Sequence, residues 1–406
     1  EPAWHQSKIV PKPNERFGLK QECFIYPPLD NRLFMGKKML LLSILSMLPL
    51  LSFFGCTADS RDGEGGMGLY TLPSEDSPHE GTWLSWPHHH TYGKKYRDEI
   101  EPVWVSMTAA LTEGERVHII AYDEAERDRI VKLLEDAGVD MGKVDFVIVP
   151  TDDVWVRDTG PIFGFDKQGR LTVVDFAFDG WGKKTVSAHD DAVPRRVAEL
   201  KHFPLFDASD IVIEGGAIEL DGAGTLMACE SSVVSPNRNP AMSRDEMEEC
   251  LRRYLGVTNF IWLKGALNED ITDAHIDGMA RFLDSHTILV VAREDFGDLY
   301  ESISMADYDK IVNARNAAGE PYKVVEFPLI QKEMRGLGYK GSYLNFYIGN
   351  KVILMPVYND VNDGVAAEQL VRLYPGRRLV KIDVTKLYKY GGMLHCVTQQ
   401  QPQSPR

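Results

Sequence analysis

The segment "GGMLHC", Gly391 to Cys396, places a thiol close behind two glycines near the end of the 406-residue chain. A cysteine acts as a nucleophile only as the thiolate, so it needs a base or a charged environment supplied from elsewhere. His275 in "TDAHIDGMARF" is the candidate base. Asp277 lies two residues on and, if the segment is a strand, on the same face. "DDVWVRDTGP" adds Trp155 and Asp158, and "IEGGAIEL" adds Glu214 ahead of two glycines that permit close backbone approach. Asn345 in "SYLNFYI" completes the polar set. Each of these residues alone reads more simply as a structural one. Together, one thiol, one imidazole, three carboxylates and an indole form a site for a flat cation.

These residues recur at equivalent places in a repeated unit. "RDTGPIFGFDKQGRLTVVDFAF" reads as a polar residue, a strand, a turn at Asp166–Gly169 and a second strand. "EGGAIELDGAGTLMACE" repeats the plan with a turn at Asp221–Gly224, "HIDGMARFLDSHTILVVA" with a turn at Asp284–His286, and "NFYIGNKVILMPV" with a turn at Gly349–Lys351. A helical stretch and a further strand follow each hairpin. The N-terminal part supplies "TWLSWP", helices near 97–113 and 124–137, and the strands "RVHIIAY" and "VDFVIVP". Asp158, Glu214, His275 and Asn345 stand at the mouths of successive hairpins, and Cys396 comes last. Five ββαβ units around a common axis would bring all five to its centre. The expectation is therefore an α/β fold, a five-bladed α/β propeller with one central site.

A guanidinium is a flat cation that stays charged at physiological pH and donates paired hydrogen bonds to carboxylates. An indole face can cover it. Attack by Cys396 on its central carbon, with His275 protonating the departing nitrogen, would release ammonia and leave a thiouronium. Neutral His275 would then activate water to give a urea. That chemistry calls for no cofactor and no metal. "HHH" at His88–His90 reads as a loop without companion ligands.

The blocks "PHEGTWLSWPH", "DDVWVRDTGP", "DFAFDGWGKK", "IEGGAIELDGAGTLMACESSVVSPNRNP", "TDAHIDGMARF", "SYLNFYI" and "GGMLHCVTQQQP" resemble the agmatine deiminase (agmatine iminohydrolase) family, which is grouped with the bacterial peptidyl-arginine deiminases in the pentein superfamily. The resemblance covers roughly residues 69–402. It implies Cys396 as nucleophile, His275 as general acid and base, Asp158 and Asp277 as the guanidinium clamp, and Glu214 as the group orienting His275. It also implies Trp155 lining the substrate slot and Asn345 at a polar active-site position. The chain departs from the family in its shorter glycine run, where Tyr390 and Met393 flank Gly391-Gly392. After "VVDFAF", where the peptidyl-arginine branch places arginines, this chain has "DGWGKK". Asp179 and Trp181 there suit the ammonium of agmatine better than a carboxylate. Agmatine is the expected substrate, hydrolysed to N-carbamoylputrescine, with the C-terminal arginine of peptides as the alternative.

Composition agrees with this reading. Apolar residues at 44% and charged residues at 26% describe a globular protein with a sizeable core, and a net charge of −15 argues against nucleic acid as a partner. Cys23, Cys56, Cys229, Cys250 and Cys396 show no CxxC spacing; Cys229 and Cys250 read as packing residues. At the N-terminus, Lys37 and Lys38 precede the apolar run Met39 to Phe54 and then Gly55-Cys56, which resembles a bacterial lipoprotein signal with Cys56 as the lipidated residue. The organisation expected is a dispensable segment 1–34, a signal 35–56, a tether 57–68 and one catalytic domain 69–406. The partners expected are a small cationic guanidino compound, a membrane only through the N-terminal lipid, and optionally a second copy of the chain as a homodimer. The location expected is the bacterial cell envelope, or the cytoplasm if the signal is unused.

Overall fold

The fold is built from one local plan that the chain repeats. In each repeat a two-strand antiparallel hairpin is followed by a helical crossover to a strand that pairs in parallel with the second hairpin strand. The computed structural model describes residues 70–405 except 333–336 and 338. These lie in a single compact unit, Phe54–Arg406. The signal, Cys56 and Cys23 fall outside the described residues.

Ile162–Asp166 pairs antiparallel with Leu171–Ala177, which pairs parallel with Leu205–Val212 after the helix Val193–Lys201. Ile218–Leu220, Thr225–Cys229 and Asn259–Leu263 repeat this around the helix Arg244–Leu255. Ala280–Asp284, Thr287–Val291 and Lys323–Phe327 do so around Met305–Val312. Tyr347–Ile348, Val352–Val357 and Arg378–Asp383 do so around Asp363–Leu373. In the remaining sheet the two ends of the domain meet. The C-terminal strand Gln399–Pro402 pairs antiparallel with His79–Ser85, which is followed in parallel by Arg116–Ala121 and Val144–Ile148. The result is an α/β fold of five mixed sheets. A short strand, Tyr70–Thr71, which the sequence reading did not include, extends the first of them.

The middle strand of each three-stranded sheet is covered on both faces, so its sequence is apolar without alternation. "TILVV", Thr287–Val291, is buried at every position. The crossover helices bury one stripe and end where the sequence signals it. Arg244–Leu255 starts at a reciprocal Ser243–Glu246 capping box and stops at Gly256, whose φ of 68° is the left-handed conformation glycine adopts without cost. It buries Met247, Cys250, Leu251, Tyr254 and Leu255, each of the larger side chains contributing roughly 1.5–3 kcal/mol. Cys229 and Cys250 are both packed in the interior.

Candidate active site

Every residue the sequence places at the mouth of a hairpin sits on a tight turn that directly precedes the first hairpin strand. Asp158 lies in the single helical turn Val156–Thr159 ahead of Ile162–Asp166. Glu214 precedes the 3-10 turn Gly215–Ala217, His275 precedes the 3-10 turn Ile276–Gly278, and Cys396 lies in the 3-10 turn His395–Val397. Asn345 lies in the turn ahead of Tyr347–Ile348. The expectation that His275 and Asp277 share a strand face is thus corrected. The strand begins at Ala280, and the 3-10 turn carries both side chains into the site. Asp273 and Ala274 precede it with φ of 61° and 68°, a left-handed pair that residues bearing a Cβ rarely adopt.

Two glycines set the spacing. A Cβ on Gly216 would lie 2.7 Å from His275 Nδ1, 2.8 Å from Asp158 Oδ1 and 3.4 Å from Asp277 Oδ2, so the candidate base and both clamp candidates converge on one hydrogen atom of the backbone. A Cβ on Gly392 would lie 2.6 Å from the Trp155 ring and 3.0 Å from Cys396 Sγ. Together with Gly391, whose φ is 117°, this explains the glycine pair before the nucleophile despite the flanking Tyr390 and Met393.

Cys396 Sγ is half-buried and accepts from Asn345 Nδ2 at 3.3 Å, with Asp277 Oδ2 at 3.8 Å. Cys396, His275, Asp277 and Asn345 line one cavity, which continues past Asp270, Tyr300 and Tyr339. Asp277 Oδ2 also accepts from Asn345 Nδ2 at 3.0 Å and from His395 Nδ1 at 2.7 Å. Asp158 is buried, accepts from the Gly216 N–H at 3.0 Å and from the Trp181 indole at 3.0 Å, and has His275 Nδ1 at 3.7 Å. The other ring nitrogen, His275 Nε2, lies 2.7 Å from Glu214 Oε2. Trp155 is buried beside Gly392 and the nucleophile.

The electrostatics follow from this crowding. Burial pulls the imidazole of His275 down, but Asp158, Glu214 and Asp277 outweigh it and push its pKa up to about 9. Burial pushes the Cys396 thiol well up, and the Asp277 and Asp158 charges add to this. Burial also raises Asp158; His275 opposes it, and Glu214 and Asp277 reinforce it. Burial opposes ionisation of Asp277 too, yet the hydrogen bond and charge of His395 hold it below the usual range. A site of this kind, with several carboxylates beside a thiol, favours a cation.

Trp181 meets the site beneath Asp158 rather than at its far end. Asp179 accepts the Gly182 N–H at 2.7 Å within its own turn and is absent from the lining of the Cys396 cavity. Arg157 and Asp158 do not pair with each other. Arg157 turns away to Gln399 and Gln400, at 2.7 and 2.8 Å.

The sequence reading missed three partners. Arg238, left without a role, donates to Glu214 from Nε at 2.5 Å and Nη2 at 3.3 Å, and to Asp273 at 3.1 Å, with both pairs fully buried. Glu75 and His395 form a partly buried pair behind Asp277. Only the adjacency of His395 to the nucleophile could have drawn attention to it. The "HHH" reading is also corrected, because Glu126 lies 2.9 Å from His89 and near enough to His90 for the three to share an ion.

Residues 71–402 match the family model for the Porphyromonas-type peptidyl-arginine deiminase. The chain belongs to this family. Among family relatives, the agmatine deiminase of Stutzerimonas stutzeri is 32% identical over 360 residues, covering 82% of this chain and 95% of that one. A Porphyromonas gingivalis protein with a provisional arginine deiminase name is 36% identical at a TM-score of 0.74, covering 82% of this chain and 98% of that one. A cysteine-to-serine variant of the C. jejuni agmatine deiminase, solved with substrate bound, is 26% identical at a TM-score of 0.72, covering 83% and 97%. The family's members act on guanidino C–N bonds, and this chain is a hydrolase of that class.

Proposed function

We propose that the protein is an agmatine deiminase, converting agmatine and water to N-carbamoylputrescine and ammonia. The observation that carries this reading is the convergence of Asp158, Asp277 and His275 on Gly216, with Cys396 lining the same cavity as His275 and Asp277. Relatives named agmatine deiminase that span most of the chain support it. The far end of the cavity favours an ammonium over a carboxylate. Asp270 lies there, no arginine is among the described residues that line it, and Lys340 is already paired with Asp298 at 2.7 Å.

Asp158 and Asp277 hold the guanidinium, and Trp155 and Gly392 wall the slot. Burial and the neighbouring carboxylates hold the thiol protonated, so the entering cation stabilises the thiolate and the proton leaves to water. The sulfur attacks the central carbon. Nδ1 of protonated His275 gives its proton to one amino nitrogen, the C–N bond breaks, and ammonia departs from a cationic thiouronium. His275, now neutral and held by Glu214, takes a proton from water as the oxygen bonds to carbon. The C–S bond then breaks, the carbonyl forms and the thiol is restored.

Five sheets whose leading turns meet at one site support the reading of five blades around a common axis, with the pairing of Gln399–Pro402 to His79–Ser85 closing the chain on itself. Envelope anchoring through Cys56 rests on the signal-like sequence alone, and mass analysis of the mature N-terminus tests it.

The test is ammonia release from agmatine, free arginine and a peptide ending in arginine. Release from agmatine is expected. Release from the peptide alone would overturn agmatine in favour of the activity the family model is named for.

A further inference from the structure

His395 and Cys396 are adjacent, yet they line different cavities. Cys396 faces the reaction cavity, and His395 faces a second one shared with Glu75, Arg157 and Glu219. The His395 ring is buried, at 1% exposure, and meets a carboxylate at each nitrogen: Asp277 Oδ2 is 2.7 Å from Nδ1 and Glu75 Oε2 is 2.8 Å from Nε2. Ionised carboxylates only accept, and a neutral imidazole has one N–H to give. Both contacts are satisfied together by an imidazolium.

The pair is not isolated. Glu75 Oε2 also accepts from Arg281 Nη2 at 2.6 Å and has Arg157 Nη2 at 3.8 Å. Arg281 pairs in turn with Glu219. A buried line of alternating charge thus runs Glu219, Arg281, Glu75, His395, Asp277. At its front end, all the hydrogen bonds to Asp277 among the described residues fall on Oδ2, from His395, Asn345 and the Cys396 thiol. Oδ1 accepts none of these hydrogen bonds. The charged groups facing this line are Arg157 from behind and Cys396, Asp158 and His275 from the front.

We propose that His395, held between Glu75 and Asp277, is a positioning residue for the deiminase reaction: it fixes Oδ2 of Asp277 so that Oδ1 addresses the guanidinium, and it balances the Asp277 charge within a cluster of carboxylates. The effect on catalysis rests on the proposed function; the protonation of the ring does not.

Two variants separate a donor from mere packing. The amide nitrogen of Asn falls near the position of Nδ1 and that of Gln near Nε2. His395→Asn therefore keeps a donor for Asp277, while His395→Gln keeps one for Glu75 and strips Asp277 of its bond. A hydrogen bond to a charged group corresponds to roughly a 10-fold change or more. His395→Gln should raise KM for agmatine by about that factor, with a smaller change in kcat. It should also move the acid limb of kcat/KM to higher pH, because Asp277 then takes up a proton sooner. His395→Asn should raise KM less. Glu75→Gln, which keeps size and one hydrogen bond, should shift the acid limb in the same direction, and it serves if the histidine variants fail to fold. Equal KM effects in the two histidine variants, or parent-like pH profiles in His395→Gln and Glu75→Gln, would overturn the proposal. Independently of turnover, the ring-nitrogen NMR signal that the parent shows at pH 7 and His395→Asn lacks should be that of a doubly protonated imidazole; a singly protonated signal would overturn the proposal as well. A parent that releases no ammonia but shows the doubly protonated ring refutes the proposed function and leaves the charge line standing.

Discussion

His275 turns Nε2 onto Glu214 Oε2, 2.7 Å away, and leaves Nδ1 facing Asp158 Oδ1 at 3.7 Å. One nitrogen is therefore anchored and the other is left facing the site. The carboxylates raise the ring to about 9 against the effect of burial, so at neutral pH it begins the cycle as an acid. The free-enzyme profile of kcat/KM should fall as pH climbs through about 9, where that proton is lost. Glu214→Gln should bring this alkaline limb to lower pH. The pairing also contributes stability that is fully present below the ordinary imidazole value of 6.5 and is lost as pH rises through about 9. Thermal melts across that range check the second part.

Gly216→Ala should abolish most activity without unfolding the chain. The added methyl would stand 2.7 Å from Nδ1 of His275 and 2.8 Å from Oδ1 of Asp158, inside any real carbon contact, so the acid and the clamp must move apart. A misplacement of about 1 Å at reacting groups costs on the order of 100-fold in rate. Steady-state kinetics beside a circular dichroism spectrum check this.

Trp181→Phe removes the indole N–H that Asp158 Oδ2 accepts at 3.0 Å and keeps most of the ring volume. Asp158, already pushed up by burial, should lose part of its ionised population. KM should rise by roughly 10-fold, the size of one hydrogen bond to a charged group, with the acid limb moved to higher pH. Wild-type KM would show that the indole serves only packing.

Arg238→Gln removes the fully buried cation that Glu214 and Asp273 share, leaving Glu214 with His275 and Asp273 with Lys184 alone. Breaking a buried ion pair from one side costs about 3–5 kcal/mol. Chemical denaturation should register a loss of that size, and His275 should lose its orientation with it.

Much of the architecture is visible in the sequence because its signals are local. The hairpin turns at Asp166–Gly169 and Asp221–Gly224 and the helix from Ser243 to Gly256 are marked by turn and cap residues, and they stand where the spacing predicts. The principal site residues were legible because each occupies the same place in a repeated unit. The buried partners behind them were not. Arg238 reaches Glu214 across 24 residues, and Glu75 reaches His395 across 320, by tertiary packing that leaves no periodic trace. Asp179 was singled out by its position in "DGWGKK"; what the sequence did not show is that its Oδ1 also closes its own turn, as aspartate does at many helix starts.

The mechanism depends most on Cys396 bonding to the guanidinium carbon. Acid-quenching the protein during turnover of agmatine and weighing its peptides measures this directly. The peptide containing Cys396 should carry the mass of agmatine less ammonia, and Cys396→Ala should show neither adduct nor ammonia. Ammonia released at the parent rate by Cys396→Ala, with no adduct on the parent peptide, would contradict that mechanism.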